Sequence, residues 1–294
     1  MPDAKTRILA IPLWDGPVTW QSLKGGLSNE SFIVTDASGR YVARFGRDLP
    51  FHHVFRDREI MTARAAHAAG FAPEVVHAGP GVMVSRFIEA KTFTAEDVRA
   101  DIARIAETAR RFHTLMPRHV SGPGIMFRVF HVIGDYARTL EKGGSRMTHR
   151  LPEFLSLADE LAAVQTPLPI VYGHHDLVPA NFLGDAERIW IIDFEYAGFS
   201  TAMFDLASIA SNAAFSAAEA EDLLALYFGR KPDAALKRSH AAMQCASLLL
   251  GAMWSMVSEL YLDAPGADYV AYTSENLGRL AAALDHYRSS YGKV

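Results

Sequence analysis

His174, Asp176 and Asn181 stand in the run Gly-His-His-Asp-Leu-Val-Pro-Ala-Asn at 173–181, and Asp193 follows in Ile-Asp-Phe-Glu-Tyr at 192–196. The first three fit the spacing H-x-D-x-x-x-x-N, which about one chain in a hundred of this composition would carry by chance. The second acid, set between Trp190-Ile191-Ile192 and Phe194, makes the pairing far more specific. A loop followed by a buried hairpin would bring both runs to one spot. Such a set suits phosphoryl transfer, which needs one carboxylate beside an attacking hydroxyl, then an amide and a second carboxylate on metal. On this reading Asp176 is the base that orients the hydroxyl and accepts its proton late. Asn181 and Asp193 hold Mg2+ through oxygen, the ligand a hard cation prefers.

Each of these residues also has a plainer reading. Asp176 could cap the turn at Pro179, and Asn181 could be an ordinary turn residue. His174, with His175 and Asp176, could instead ligate a hydrolytic metal. A His-His-Asp run points alternate side chains apart, however, and no further His/Glu cluster stands at ligand spacing. His174 therefore reads as a hydrogen-bonding anchor of the loop, and His175 as loop filler.

The elements that must position these residues fall into two blocks. Residues 1–88 look β-rich, with strands at 20–23, 32–35, 41–45, 74–77 and 82–87 and a helix over 53–69. Residues 89–294 turn helical, with helices expected at 94–115, 128–141, 152–164, 203–213, 217–228, 233–262 and 269–287. Short strands at 170–172, 182–183 and 190–192 bracket the central motif. The pattern predicts an α+β chain, a small antiparallel β lobe followed by a large, mainly helical lobe that carries the 173–181 run.

Further candidates follow from that placement. Gly25-Gly26-Leu27-Ser28-Asn29 lies between the first two strands, where two glycines let backbone approach phosphates and Ser28 and Asn29 add donors. It matches neither a Walker A loop nor a dinucleotide fingerprint, and a Gly-Gly hairpin turn is commonly only a turn. Arg44 on the third strand could reach the phosphates, held by Glu59 from the next helix. Asp57 is the rival partner, and the charged turn at 56–59 could simply be solvated. The segment 83–88 joins the blocks and could sandwich an adenine, with Ser85 and Phe87 at the contacts. Trp254, Tyr261, Tyr269 and Tyr272 could hold an ammonium group by cation–π contact, although aromatics at helical spacing more often build core.

Composition sets the outer bounds. The chain has 294 residues, 50% hydrophobic and 21% charged, with net charge −4, which describes a soluble globular protein without the basic excess of a nucleic-acid binder. Cys245 is the only cysteine, so no intrachain disulfide forms. The most apolar run, 245–257, is thirteen residues, short of the about 20 that a membrane span needs. No signal-peptide pattern opens the chain, and cytoplasm is the expected compartment.

Taken together, these residues resemble the choline/ethanolamine kinase family, part of the wider aminoglycoside-phosphotransferase and protein-kinase-like fold. The resemblance runs from about residue 23 to 287. It covers the Gly-rich loop, the third strand with its Arg44, the catalytic loop at 173–181 and the segment 192–196. It implies a two-lobed kinase that uses ATP and Mg2+ to phosphorylate a small amino or quaternary-ammonium alcohol, and it leaves room for a homodimer. It also implies that Asp205, in Phe204-Asp205-Leu206, braces the catalytic loop, and that Glu195, Trp254 and Tyr272 face the substrate. Two departures stand out: Gly251 sits one turn before Trp254 where a second Trp is common, and Asn212-Ala213 replaces an expected Glu-Trp. A different amine alcohol or a thiamine-like substrate therefore stays open. So do thiamine kinase, an aminoglycoside phosphotransferase drawing on Glu219, Glu221 and Asp222, and a nucleotide-binding pseudokinase.

Overall fold

Apolar side chains alternate along the first strands, and this alternation gives the N-terminal sheet two different faces. The computed structural model describes residues 3–23, 29–264 and 266–293. Helix α1 (Ala4–Leu9) precedes strands β1 (Thr19–Leu23), β2 (Glu30–Asp36) and β3 (Gly39–Phe45). Helix α2 (Arg56–Ala68) and strands β4 (Val75–Gly79) and β5 (Val82–Arg86) follow. The strands form one five-stranded sheet in the order β1-β2-β3-β5-β4, with every neighbouring pair antiparallel. Phe32, Val34, Tyr41, Ala43 and Val84 bury one face against Ile8 and Ile11. On the other face the register sets Ser31 beside Arg44 and Ile33 beside Val42, with Ser85 and Met83 next in line. Those six side chains line a cavity.

The second block is mainly helical. It runs through β6 (Lys91–Thr92), α3 (Ala95–Ala100), α4 (Ile102–Leu115), α5 (Val129–Lys142), α6 (Leu151–Ala163), β7 (Ile170–Gly173), β8 (Phe182–Gly184), β9 (Ile189–Ile191) and β10 (Gly198–Thr201). It ends with α7 (Met203–Asn212), α8 (Ala217–Phe228), α9 (Ala234–Tyr261) and α10 (Tyr269–Tyr291). One core packs α5, α6, α7 and α10 around α9. A second reaches from Ala63 and Ala66 of α2 through α4 to Phe182, Ile191 and Leu206, and so ties the two lobes together. By length and apolarity α9 could cross a membrane, but 67% of its most apolar window is buried in the protein. This is an α+β fold of kinase type.

Several expected elements shift. The helix expected over 94–115 is two helices, broken at Asp101 (φ −130°), whose side chain caps α4 by accepting from Arg104 N. Helix α2 begins later than expected, because Pro50–His52 forms a 3-10 turn and His53 takes a left-handed φ of 60°. Three elements, α1, β6 and β10, were not expected. β10 pairs antiparallel with β7 and fastens the strand that leads into the 173–181 loop.

Candidate active site

Strand β7 ends at Gly173, and the backbone there turns tightly. A Cβ on Gly173 would collide with the His175 ring and crowd Asp205. Asp205, on the first turn of α7, accepts from the backbone N–H groups of His174 (2.8 Å) and His175 (2.7 Å). His113 of α4 donates to the same carboxylate at 2.8 Å, and Tyr227 donates to the other His113 nitrogen at 2.7 Å. Burial alone would raise the Asp205 carboxyl. The His113 hydrogen bond, with the nearby imidazoles, outweighs burial and holds it well below the usual carboxylate range.

The loop that Asp205 carries is tied at both histidines. His174 Nε2 donates to Ile192 O at 3.0 Å, and its Nδ1 accepts from Asp176 N at 3.2 Å, so the ring is neutral and joins the 173–181 loop to the 192–196 segment. Burial holds its pKa down. The expectation that His175 merely fills the loop is corrected. Its ring stacks on Phe127 at 4.2 Å, bonds Tyr196 O at 3.1 Å and sits in left-handed backbone (φ 65°). Burial lowers its pKa to about 4. A left-handed histidine costs of order 1–3 kcal/mol, and here packing and hydrogen bonds hold it in place.

Asp176 faces the interior of this arrangement. Asn181 donates to its Oδ2 at 3.0 Å and to its backbone carbonyl at 2.8 Å. Burial first, then the Asp193 and Glu195 carboxylates, push the Asp176 carboxyl up to about 8. Asp193 is itself left-handed (φ 70°), just after β9, and pairs with Arg44. Arg44 also meets Glu59 at 3.1 Å and Glu195 at 3.5 Å. Arg56 adds contacts to Glu59 (2.5 Å) and Glu195 (3.0 Å). Glu59 is buried, while its rival Asp57 is exposed. Glu195 lines the cavity in the helical lobe described below, yet its carboxylate is also engaged by Arg44, Arg56 and Asn29 Nδ2 (3.3 Å).

Two cavities meet at Asn181 and Asp193. The first, about 390 Å3, lies under the N-terminal sheet between Ile33, Val42, Met83, Leu183 and Ile192, with Asn29, Arg44, Ser85 and Phe87 on its wall. One face of the Phe87 ring is covered by the Arg40 guanidinium at 4.0 Å. The second, about 340 Å3, lies in the helical lobe beside Asp176, walled by Tyr136, Tyr196, Trp254 and Tyr272. Trp254 Nε1 donates to Tyr196 OH at 2.9 Å, and Tyr272 stands edge-on to the indole at 6.2 Å. Tyr269 packs against Trp254 from behind, while Tyr261 turns away to stack on Phe51. Gly25, Gly26, Leu27 and Ser28 lie outside the described residues.

Sequence reasoning did not single out His52, Tyr136 or Arg56. His52 stacks on Trp254 at 4.9 Å and bonds Ser258 and Tyr136, so a turn of the N-terminal lobe forms part of the second cavity's wall. The only sequence signal for Arg56 was the charged turn at 56–59.

The donor set fits Mg2+. Asn181 and Asp193 offer oxygen only, and among the described residues no three His, Cys, Asp or Glu gather into a self-sufficient cage. Mg2+ characteristically takes one or two protein oxygens and completes its shell from phosphate and water. The Asp193 and Glu195 carboxylates also raise the Asp176 carboxyl, the mark of crowded acids that a divalent cation would relieve.

A kinase-like fold with Asn181 and Asp193 between two cavities is the setting of a phosphotransferase. The model of the phosphotransferase enzyme family matches residues 19–238, and the chain belongs to that family. The chain is 24% identical to LicA of Haemophilus influenzae over 69% of its length, and 29% identical to a probable choline kinase 3 of Arabidopsis thaliana over 63%. These matches cover 61% and 57% of the relatives' own lengths, so the chain spans about three-fifths of each. A solved choline/ethanolamine kinase family protein from Mesorhizobium loti superposes with TM-score 0.76 at 29% identity, covering 96% of this chain and 94% of that one. An aminoglycoside phosphotransferase solved with AMP-PNP and hygromycin B shares the fold at TM-score 0.67 and 19% identity, covering 98% and 99%.

Proposed function

We infer that the chain is an ATP-dependent kinase that moves the γ-phosphoryl group to the hydroxyl of a small amine-bearing alcohol of the choline or ethanolamine type. One observation carries the reading: Asn181 and Asp193 line both cavities, and Asp176 faces the helical-lobe cavity from the same junction. The cavity under the sheet, an apolar slot with Arg44 at its inner end, suits a nucleotide. The aromatic cavity suits an ammonium group, and the names of the relatives point to the same acceptors.

In this mechanism the acceptor oxygen bonds to the γ-phosphorus as the bridge to the β-phosphate breaks and ADP leaves. The hydroxyl proton passes to the Asp176 carboxylate, which Asn181 holds in orientation; a cation at Asn181 and Asp193 would offset the Asp193 charge that helps to raise Asp176 and so favour its ionised form. Asn181 and Asp193 would hold Mg2+, which supplies charge neutralisation on the phosphates. Arg44, fixed by Glu59, stands ready for the phosphate oxygens. Positioning and electrostatics carry the rate, and no covalent enzyme intermediate forms. Asp176→Asn is expected to cut kcat at least about a hundredfold while the ATP Kd stays within about threefold, read by calorimetry. Near-normal turnover in that variant would falsify the assignment of the base.

The far end of the acceptor cavity speaks against a polycationic aminoglycoside. Glu219 is spent on the Ser216 cap and Glu221 on Lys237, and neither they nor Asp222 line the cavity.

A further inference from the structure

The acceptor cavity has two chemically different ends. Its carboxylates, Asp176, Asp193 and Glu195, all stand at the phosphoryl end. The rest of the lining holds no acid among the described residues: Ser208, Asn212, Ser247 and Asn276 stand there among Phe204, Leu248 and Leu250. Ser208 and Asn276 are only 5% and 3% exposed, so these groups belong to the cavity wall rather than the outer surface.

The two amides still have acceptor capacity. Asn212 Nδ2 donates to Ser208 O (2.9 Å), and Asn276 Nδ2 donates to Tyr272 O (3.0 Å). Among the described residues each Oδ1 meets a guanidinium nitrogen of Arg279 at 3.4 Å and no other donor. That is long for an N–H···O bond, and each amide oxygen has two lone pairs. Arg279 stands behind this wall, so a second ammonium would face a like charge, whereas a neutral donor would meet two amide oxygens.

Gly251 opens the way to them. It sits within the 28-residue helix α9, where glycine costs about 1 kcal/mol relative to alanine. A Cβ there would meet only Asn276 within 4 Å, its Oδ1 at 3.6 Å. The missing side chain is therefore not forced by crowding, and it leaves the floor of the cavity open towards Asn276. A cavity of about 340 Å3 has room for about eleven waters at about 30 Å3 each, more than choline or ethanolamine would fill.

We propose that the natural acceptor is an extended amine alcohol. Its hydroxyl lies at Asp176, its cationic centre beside Trp254 and Tyr272, and a neutral hydrogen-bonding tail passes over Gly251 to Asn212 and Asn276. This rests on the kinase reading above and names the substrate class of the same site.

The test uses three matched acceptors: choline, choline with one methyl replaced by a propanamide arm, and choline with that methyl replaced by an isopentyl arm of similar size. With the wild-type chain and Mg-ATP, kcat/KM for the propanamide compound is expected to exceed both others at least tenfold. Gly251→Leu, and separately Asn212→Leu, should cut that ratio at least tenfold. The two variants fail for different reasons if they fail to fold, so one readable variant suffices. Choline as the best of the three, an isopentyl compound equal to the amide, or a ratio unmoved by both variants overturns the inference and leaves the kinase reading standing. Phosphorylation of none of the three by the wild type overturns both.

Discussion

Asp205 never faces an acceptor, yet the loop that does depends on it. Its carboxylate takes three hydrogen bonds, from His174 N, His175 N and His113. Removing it strands two backbone donors in a buried site. Asp205→Ala should therefore cost about 3 kcal/mol or more of unfolding free energy, read as a lower denaturant midpoint. A loss within about 0.5 kcal/mol would mean that the loop holds itself. At this scale the sequence was legible where residue types carry chemistry: Asp176, Asn181 and Asp193 were found by kind and spacing, and they gather at one junction. His113, Arg56 and His52 were not found. Apart from the Arg56–Glu59 pair, their partners lie far away along the chain (Asp205, Glu195, Ser258), and no local pattern encodes such a contact.

Among the elements, the turn Pro50–His52 does unexpected work. It leaves the β lobe, stacks Phe51 on Tyr261 and His52 on Trp254, and hydrogen-bonds Ser258 and Tyr136. One wall of the acceptor cavity is thus supplied by the nucleotide lobe. His52→Ala should loosen Trp254 and raise the acceptor KM about tenfold, roughly the 1.4 kcal/mol of a lost ring stack and hydrogen bond, while the ATP KM holds. An equal rise in both constants would point to general loss of structure instead. Regular elements with long periodicity, such as α8 and α9, were legible almost to their ends. The break at Asp101 was not, because both flanking helices share one apolar period and only a side-chain cap separates them. Nor was β10, four residues long, which is a strand only because β7 lies beside it.

Across the whole molecule, buried neutral histidines tie stability to pH. Burial lowers the pKa of His52 to about 3 and those of His175 and His240 to about 4. Unfolded histidine titrates near about 6.5, so between that value and about 4 the unfolded chain binds more protons than the folded one. Stability contributed by these groups is complete above about 6.5 and falls as pH drops towards 4. Asp176, which burial and the neighbouring acids raise to about 8, works the other way and offsets about one of these protons, so the melting temperature should hold near neutrality and then decline from about pH 6.5 to pH 5. A flat profile over that range would show that the histidines are not buried neutral. The two-lobed plan was legible because alternation gives way to helical periodicity near residue 90. How the lobes meet was not: the Arg44–Glu59 pair within the small lobe was expected, but Glu195 reaching Arg44 and Arg56 from the large lobe is a contact that no window of sequence contains.

The most direct measurement follows the phosphoryl group itself. The chain is incubated with Mg-ATP, with and without choline or ethanolamine, and phosphorus NMR is recorded alongside ADP release. The expected result is a new phosphomonoester signal that grows in step with ADP, requires the acceptor and disappears in Asp176→Asn. ADP appearing only with inorganic phosphate, at the same rate whether or not an acceptor is present, would contradict a kinase acting on amine alcohols.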